Sequence, residues 1–197
     1  MRELLKGLAL AIATICVLPS LVFYRIRAAI VGADRALLAS SQAYSLWPGI
    51  LGQYLRRAFY RQTLASFHPS ATVEFGTIFS RADSSIGENV YIGPMCHIGL
   101  VDIERNVMLA AGVHVPSGPA THGIEDLSRP IREQPGELRR VRVGEGSWVG
   151  SATVIMADIG RDTVVASGAV VTKPMPERAI VGGVPAEVIR SREPDIH

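Results

Sequence analysis

The sequence predicts a mainly β fold, a parallel β-helix preceded by an N-terminal helical, membrane-associated segment. Three observations predict it. Aliphatic residues recur at every sixth place through Val143 and Val149 and, after a slip, Ile159, Val165 and Val171, the first four each followed by Gly or Ala. An uncharged apolar run, Gly7 to Phe23, opens the chain. The residues up to Ser66 carry eight basic side chains (Arg2, Lys6, Arg25, Arg27, Arg35, Arg56, Arg57 and Arg61) against two acidic ones (Glu3 and Asp34). A period of six matches neither the 3.6-residue repeat of a helix nor the strict alternation of an ordinary strand. It is the signature of a coil whose flat sides each contribute one inward aliphatic residue.

The 197 residues suffice for one domain with an appendage, and 48% apolar against 19% charged residues is slightly apolar for a soluble protein. The net charge is only +2, so the basic excess belongs to the N-terminal segment and points to a membrane surface before nucleic acid. No nucleic-acid-binding motif accompanies it. Cys16 lies in the apolar run and Cys96 in a repeat, which suggests neither a disulfide framework nor a zinc site and fits a reducing compartment.

Taken in order, residues 1–66 form the expected anchoring segment. Gly7 to Phe23 is extended by Leu4 and by Ile26 to Val31, close to the lower edge of the about 17 to 25 residues that span a bilayer. A spanning or deeply embedded helix, kinked at Pro19, is therefore expected. A cleaved leader is the weaker reading, because Phe23-Tyr24-Arg25 offers no small-residue cleavage site. The basic flank then places everything downstream in the cytoplasm, at the inner membrane. A second helix is expected from Trp47 to Arg61, with Pro48 near its first turn. It groups Ile50, Leu51, Tyr54, Leu55, Ala58 and Phe59 on one face and Gln53, Arg56, Arg57 and Arg61 on the other. Such a helix lies among lipid headgroups, anchored by Trp47, Tyr54 and Tyr60, or caps the β-helix, which solenoids require.

Residues 67–190 carry the repeats: Ile86-Gly-Glu-Asn-Val-Tyr, Ile92-Gly-Pro-Met-Cys-His, then, after a short hexad, Ile103-Glu-Arg-Asn-Val-Met and Leu109-Ala-Ala-Gly-Val-His. Asn89 and Asn106 suit corners that need a left-handed backbone. Residues 117–140, rich in Gly, Pro and charge, interrupt the pattern, and a long excursion from a regular solenoid is usually functional. Residues 191–197 form a polar tail.

These residues resemble the hexapeptide-repeat acyltransferases, in particular the branch of maltose, galactoside and polysaccharide O-acetyltransferases. The likeness runs from about Val73 to Arg190. It rests on Ser117-Gly118 to His122, Pro130-Ile131, Val143-Gly-Glu-Gly-Ser-Trp-Val-Gly, Gly168-Ala-Val-Val-Thr-Lys and Gly183-Val-Pro-Ala-Glu-Val-Ile-Arg, in that order. It implies a left-handed β-helix, a homotrimer with active sites between subunits, and acetyl-CoA as donor. His122 matches the family histidine that takes the acceptor's hydroxyl proton, with Pro119 and Ala120 as extra residues ahead of it. A neutral imidazole suits that task, since a sugar hydroxyl is not ionised at neutral pH. Glu125 and Asp126 are both candidates to orient the ring.

The same resemblance assigns CoA contacts to Trp148, Ala152, Gly168, Thr172, Lys173, Pro185 and Arg190. Small residues at 152 and 168 let the cofactor lie against the coil, and Lys173 and Arg190 suit its phosphates. His97 and His114 end hexads one coil apart, so they stack on one outer face. With His122 they invite comparison with the related carbonic anhydrases, whose three histidines bind zinc, but their spacing does not copy that pattern, so no metal is expected. His68 and His197 lie outside the repeats and carry no expected role.

The expectation is an acetyl-CoA-dependent O-acetyltransferase acting on a hydroxyl of a sugar, with the anchor favouring a lipid-linked glycan or polysaccharide precursor. The alternatives are an acyltransferase for a soluble small molecule and a non-catalytic, membrane-attached β-helix scaffold.

Overall fold

A computed structural model describes residues 2–193. Three helices lead the chain: α1 (Arg2–Val31), α2 (Ala33–Ser45) and α3 (Gly49–Thr63). Short strands follow, coil by coil. They are β1 (Ser66–Phe67), β2 (Thr72–Val73) and β3 (Ile78–Phe79), then β4 (Ser85–Ile86), β5 (Tyr91–Ile92) and β6 (His97–Ile98). The third coil holds β7 (Val101–Ile103), β8 (Met108–Leu109) and β9 (His114–Val115), and the fourth β10 (Val141–Val143), β11 (Trp148–Val149) and β12 (Val154–Ile155). The last coils hold β13 (Val164–Val165), β14 (Val170–Val171) and β15 (Ala179–Gly183), closed by β16 (Ala186–Ser191).

The strands stack into three parallel sheets, one per side of the coil: β1-β4-β7-β10 on the first face, β2-β5-β8-β11-β13-β15 on the second and β3-β6-β9-β12-β14 on the third. Bridges at Ile159 and Met175 continue the first face beyond β10. Only β16 is antiparallel, folding back on β15. The periodic aliphatic residues stack inside as the sequence predicts, Ile92 on Leu109, Val149 on Val165 and Ile155 on Val171, all fully buried. Three places after the inward residue the backbone turns left-handed, at Asn89 (φ 55°), Asn106 (φ 60°), Ala152 (φ 56°) and Asp162 (φ 54°). Asn and Asp are the L-residues that tolerate this conformation best.

The slips in the period all fall at one corner, where the third face hands over to the first. The inward residues there run Phe79 to Ile86, Ile98 to Ile103, Ile155 to Ile159 and Val171 to Met175, and the excursion separates Val115 from Val143 at the same corner. The other two corners keep the period of six throughout.

The N-terminal segment adds an unexpected helix and takes the capping alternative at α3. Helix α1 is longer than the apolar run and contains Pro19 within it. Helix α2 was not anticipated: its buried side is Ala36, Leu37, Ser40, Ser41 and Ser45, too polar to show as an apolar stripe. Helix α3 is a cap on the coil, with Pro48 at its N-cap. Arg56 and Tyr60, expected at the lipid headgroups, are fully buried against the first coil. Arg56 Nε donates to the Val73 carbonyl at 2.9 Å, and its Nη1 donates to those of Tyr44 (3.1 Å) and Trp47 (2.7 Å). It thus serves carbonyls at the end of α2, in the turn after it and at the open end of the coil. The Tyr60 hydroxyl is 2.7 Å from that of Ser41, which accepts from the Phe79 backbone N–H at 2.8 Å, tying α3, α2 and β3 together. Burial pushes the Tyr60 pKa up to about 12.

One stripe of α1, with Ala13, Val17, Leu21 and Tyr24 buried and Leu10 and Ala28 packed beside them, faces the other two helices. The remainder leaves Leu8, Ile12, Ile15, Phe23, Ile26 and Ile30 exposed. Leu4–Val31 has a mean hydropathy of 2.1, long and apolar enough to cross a membrane.

Candidate active site

The excursion is an ordered arm rather than a slack loop. Its two strands of chain are joined where Glu137 N–H donates to the Ala120 carbonyl (2.7 Å) and Arg139 N–H to that of Ser117 (2.8 Å). The buried Gln134 knits the tip: its Nε2 donates to the carbonyls of Asp126 (2.7 Å) and Arg129 (3.0 Å), and its Oε1 accepts from Asp126 N–H (3.0 Å). At the root, the Ser117 hydroxyl accepts from Leu100 N–H at 2.8 Å. Gly136 passes so close under the opposite arm that a Cβ there would stand 2.2 Å from the Thr121 carbonyl carbon and 2.5 Å from His122 N. Only a residue without a side chain permits that approach.

This construction brings His122 to the third face. There a cleft of about 350 Å³ is lined by His97, His114, His122, Ser80, Arg81 and Leu38, with Thr121 and Leu138 among its other walls. The His122 ring makes no hydrogen bond to the described residues and lines the cleft. His97 pairs with His114 in register between β6 and β9, their ring centroids 5.1 Å apart. Burial, and then the neighbouring His114, hold the His97 pKa below its ordinary value. Among the described residues no group of three or more His, Cys, Asp or Glu side chains is arranged to hold a metal.

Glu125 and Asp126 do not reach the cleft. Both are exposed on the arm, and Asp126 accepts through Oδ1 from Ser128 N–H (2.9 Å) and Oγ–H (2.6 Å), which hold its carboxyl below the usual range. The structure therefore joins neither carboxylate to His122.

The residues expected to contact CoA fall into two groups. Ala152 and Gly168 stack at the corner between the second and third faces, where Gly168 N–H donates to the Ser151 carbonyl at 2.8 Å. Gly168 (φ +73°) has open space where a side chain would stand. Thr172 and Lys173 follow β14 on the same third face as the histidines, with Lys173 Nζ 2.8 Å from both Glu187 carboxylate oxygens. Trp148, by contrast, stands exposed on the second face between Met108 and Val164. Pro185, after a cis peptide bond, and Arg190 lie on the β15–β16 hairpin of that second face. Within one chain the two groups meet through Lys173, whose partner Glu187 stands on that hairpin, while Trp148 lies apart on the second face.

The sequence reading missed Arg81, Ser80 and Leu38. Leu38 belongs to the helix without a periodic signal, and the other two sit at the variable corner. The stacking of His97 on His114 was visible in the hexad spacing.

Comparison with known proteins bears on the repeats first. The family model described as "Hexapeptide repeat of succinyl-transferase" matches residues 84–116 and 140–173, breaking off where the arm leaves the coil. Hexapeptide repeats thus cover those two stretches of the chain, and its fold is a left-handed β-helix. Among curated relatives of this hexapeptide-repeat chain is a Mycobacterium tuberculosis protein named probable acetyltransferase Rv3034c, 28% identical over 113 residues. That match covers 56% of this chain and 31% of the relative, so the chain spans about a third of that relative's length. The galactoside O-acetyltransferase of Escherichia coli is 27% identical over 152 residues, covering 62% of this chain and 71% of the relative. The crystal structure of a hexapeptide-repeat acetyltransferase from Vibrio cholerae, complexed with acetyl coenzyme A, superposes with a TM-score of 0.71 at 18% identity. It covers 84% of this chain and 91% of that one.

Proposed function

We propose that the protein is an acetyl-CoA-dependent O-acetyltransferase whose acceptor is a sugar hydroxyl, on a lipid-linked glycan or polysaccharide precursor. The observation that carries this reading is His122, held by the Gly136 contact in an open cleft with its ring unengaged. Relatives named acetyltransferases, one of them for galactosides, and the acetyl coenzyme A complex of a similar fold support the donor and the acceptor class.

In this mechanism the acceptor hydroxyl attacks the thioester carbonyl while its proton passes to the His122 imidazole. The tetrahedral intermediate then collapses, the C–S bond breaks, and the imidazolium returns the proton to the leaving thiolate. The thioester is already activated, so no covalent enzyme intermediate is needed. Neutral imidazole N–H groups of His97 or His114 are placed in the same cleft to donate to a developing oxyanion.

The two faces that hold the expected CoA residues favour a homotrimer, in which the second face of one subunit completes the third face of its neighbour. Ile124, Leu127 and Ile131 are exposed on the arm, and a neighbouring subunit is what would cover them. The apolar outer side of α1 favours attachment to the inner membrane with the β-helix on the cytoplasmic side. The test is incubation of the purified protein with acetyl-CoA and candidate lipid-linked glycans, reading free thiol and product mass. Thiol release with a mass gain of one acetyl group supports the reading; acetyl-CoA left intact with every acceptor removes it.

A further inference from the structure

The cleft around His122 holds one charged group, Arg81, that no part of the acetyl transfer requires. Its ionisable lining residues are Arg81, His97, His114 and His122, with no carboxylate among the described residues that form its walls. Arg81 is not a loose surface arginine. Its Nη1 donates to Asp34 Oδ2 at 2.9 Å, and Asp34 Oδ1 in turn accepts from the Ala82 backbone N–H at 2.8 Å. Asp34 of α2, itself tied to the corner after β3, thus fixes one edge of the guanidinium. Its Nε–H is buried and has no partner.

Asp34 is already committed twice and lies outside the cleft wall. Arg81 itself lines the cleft with its side chain about a third exposed, and its Nη2, which makes no hydrogen bond to the described residues, is left for something that enters. A fixed guanidinium is the side chain best matched to an oxyanion, because its donors are planar and never lose their charge. The three imidazoles around it would tolerate a negative charge and gain nothing from a neutral one.

We infer that the acceptor carries an oxyanion, a phosphate or a carboxylate, near the hydroxyl that is acetylated, and that Arg81 binds it. The inference rests on the acetyltransferase reading and narrows its acceptor to an anionic sugar. A sugar joined to a lipid through phosphate and a uronic-type sugar share this chemistry.

The test compares kcat/KM for three soluble acceptors, a hexose 1-phosphate, a hexuronate and a neutral methyl hexoside, in the intact protein. Calorimetric binding of the hexose 1-phosphate is measured alongside. A charge-assisted hydrogen bond predicts that at least one anionic acceptor exceeds the neutral one by about 10- to 100-fold. The better of the two anions identifies phosphate or carboxylate. In Arg81→Gln the anionic-to-neutral ratio falls to near one, through KM rather than kcat. Arg81→Lys, which keeps a cation for Asp34 but lacks the second N–H edge of the guanidinium, folds and retains a reduced ratio. Equal use of neutral and anionic acceptors overturns the inference while leaving acetyl transfer intact, and so does an unchanged ratio in Arg81→Gln. Transfer to none of the three, together with no heat on adding the sugar phosphate, overturns both. Binding of the sugar phosphate that Arg81→Gln abolishes, without transfer, upholds the anion site and removes the reaction.

Discussion

The ring of His97 lies 5.1 Å, centroid to centroid, from that of His114 one coil further along the same face. Burial disfavours the charged imidazole, and the neighbouring His114 adds to that, so the His97 pKa is lowered in the folded protein. In the unfolded chain it titrates near the ordinary 6.5. Between that pH and the lowered folded value the unfolded state binds more protons, so stability rises with pH there. The contribution is complete above about 6.5 and is lost as acid takes the pH below it. Arg81 and His122 line the same cleft. The melting temperature of the wild type should therefore fall further between pH 7.5 and pH 5 than that of His97→Asn. Parallel falls in the two proteins would show that the pair carries no such cost.

Replacing His122 by Ala should lower kcat by about 10²- to 10⁴-fold, the usual worth of a general base. The exposed ring supports no part of the core, so circular dichroism and melting should be unaltered. Activity that survives this substitution would move the base elsewhere in the cleft.

Gly136→Ala tests how the arm aims that ring. A methyl group there would meet the Thr121 and His122 backbone at 2.2 to 2.5 Å, and the arms must separate. A displacement of about 1 Å costs around 100-fold in rate. The loss should appear in kcat with KM for acetyl-CoA little changed, because the expected CoA residues lie on other parts of the coil. A loss confined to KM would count against this geometry.

At the opposite end of the site, Gly168→Leu places a side chain in the open space over the corner. The positive φ costs about 1–2 kcal/mol for any L-residue, a modest destabilisation. If CoA lies against this corner, KM for acetyl-CoA should rise at least about tenfold, the value of 1.4 kcal/mol of lost binding. An unaltered KM would take the cofactor off this edge of the coil.

Arg56 offers a test of the helical cap. Its side chain is fully buried and satisfies three carbonyls, so Arg56→Met should cost about 3 kcal/mol, most of it from carbonyls left unpaired. The nearby Arg61 is exposed, and Arg61→Met should change stability by less than about 0.5 kcal/mol. Urea titration of the two variants reads the contrast directly. Equal midpoints would mean that the cap is not held by Arg56.

The coil was legible in the sequence because each hexad repeats one local rule, an inward aliphatic residue and a left-handed corner three places later. Asn89 and Asn106 announced two of those corners; Met95 (φ 59°) and Arg178 (φ 53°) occupy the same conformation without any residue signal. The N-terminal segment was less legible for physical reasons. Helix α2 buries serines that bond back to its own backbone or to its neighbours, as Ser40 does to the Ala36 carbonyl at 3.0 Å, and periodicity of apolar residues cannot register them. An arginine reads as solvent-facing until its acceptors are known, and those of Arg56 lie in the end coil and the α2–α3 turn. The expected CoA residues were traced by motif, but their division between two faces appears only once the coil is wound. Phe59, Tyr60 and Leu64 share one buried cluster with Phe67, Val73 and Phe79 of the first coil, so deleting residues 1–65 would strip them from it.

The irregular corner has a practical corollary. Because Ile155 to Ile159 and Val171 to Met175 close shorter turns than Phe79 to Ile86 at the same vertex, the stack keeps its alignment whatever length of chain is spliced there. Foreign segments grafted after Met156 or Thr172 would hang beside the histidine cleft without disturbing the strands above and below, a ready-made place for redesigning which acceptor the protein admits.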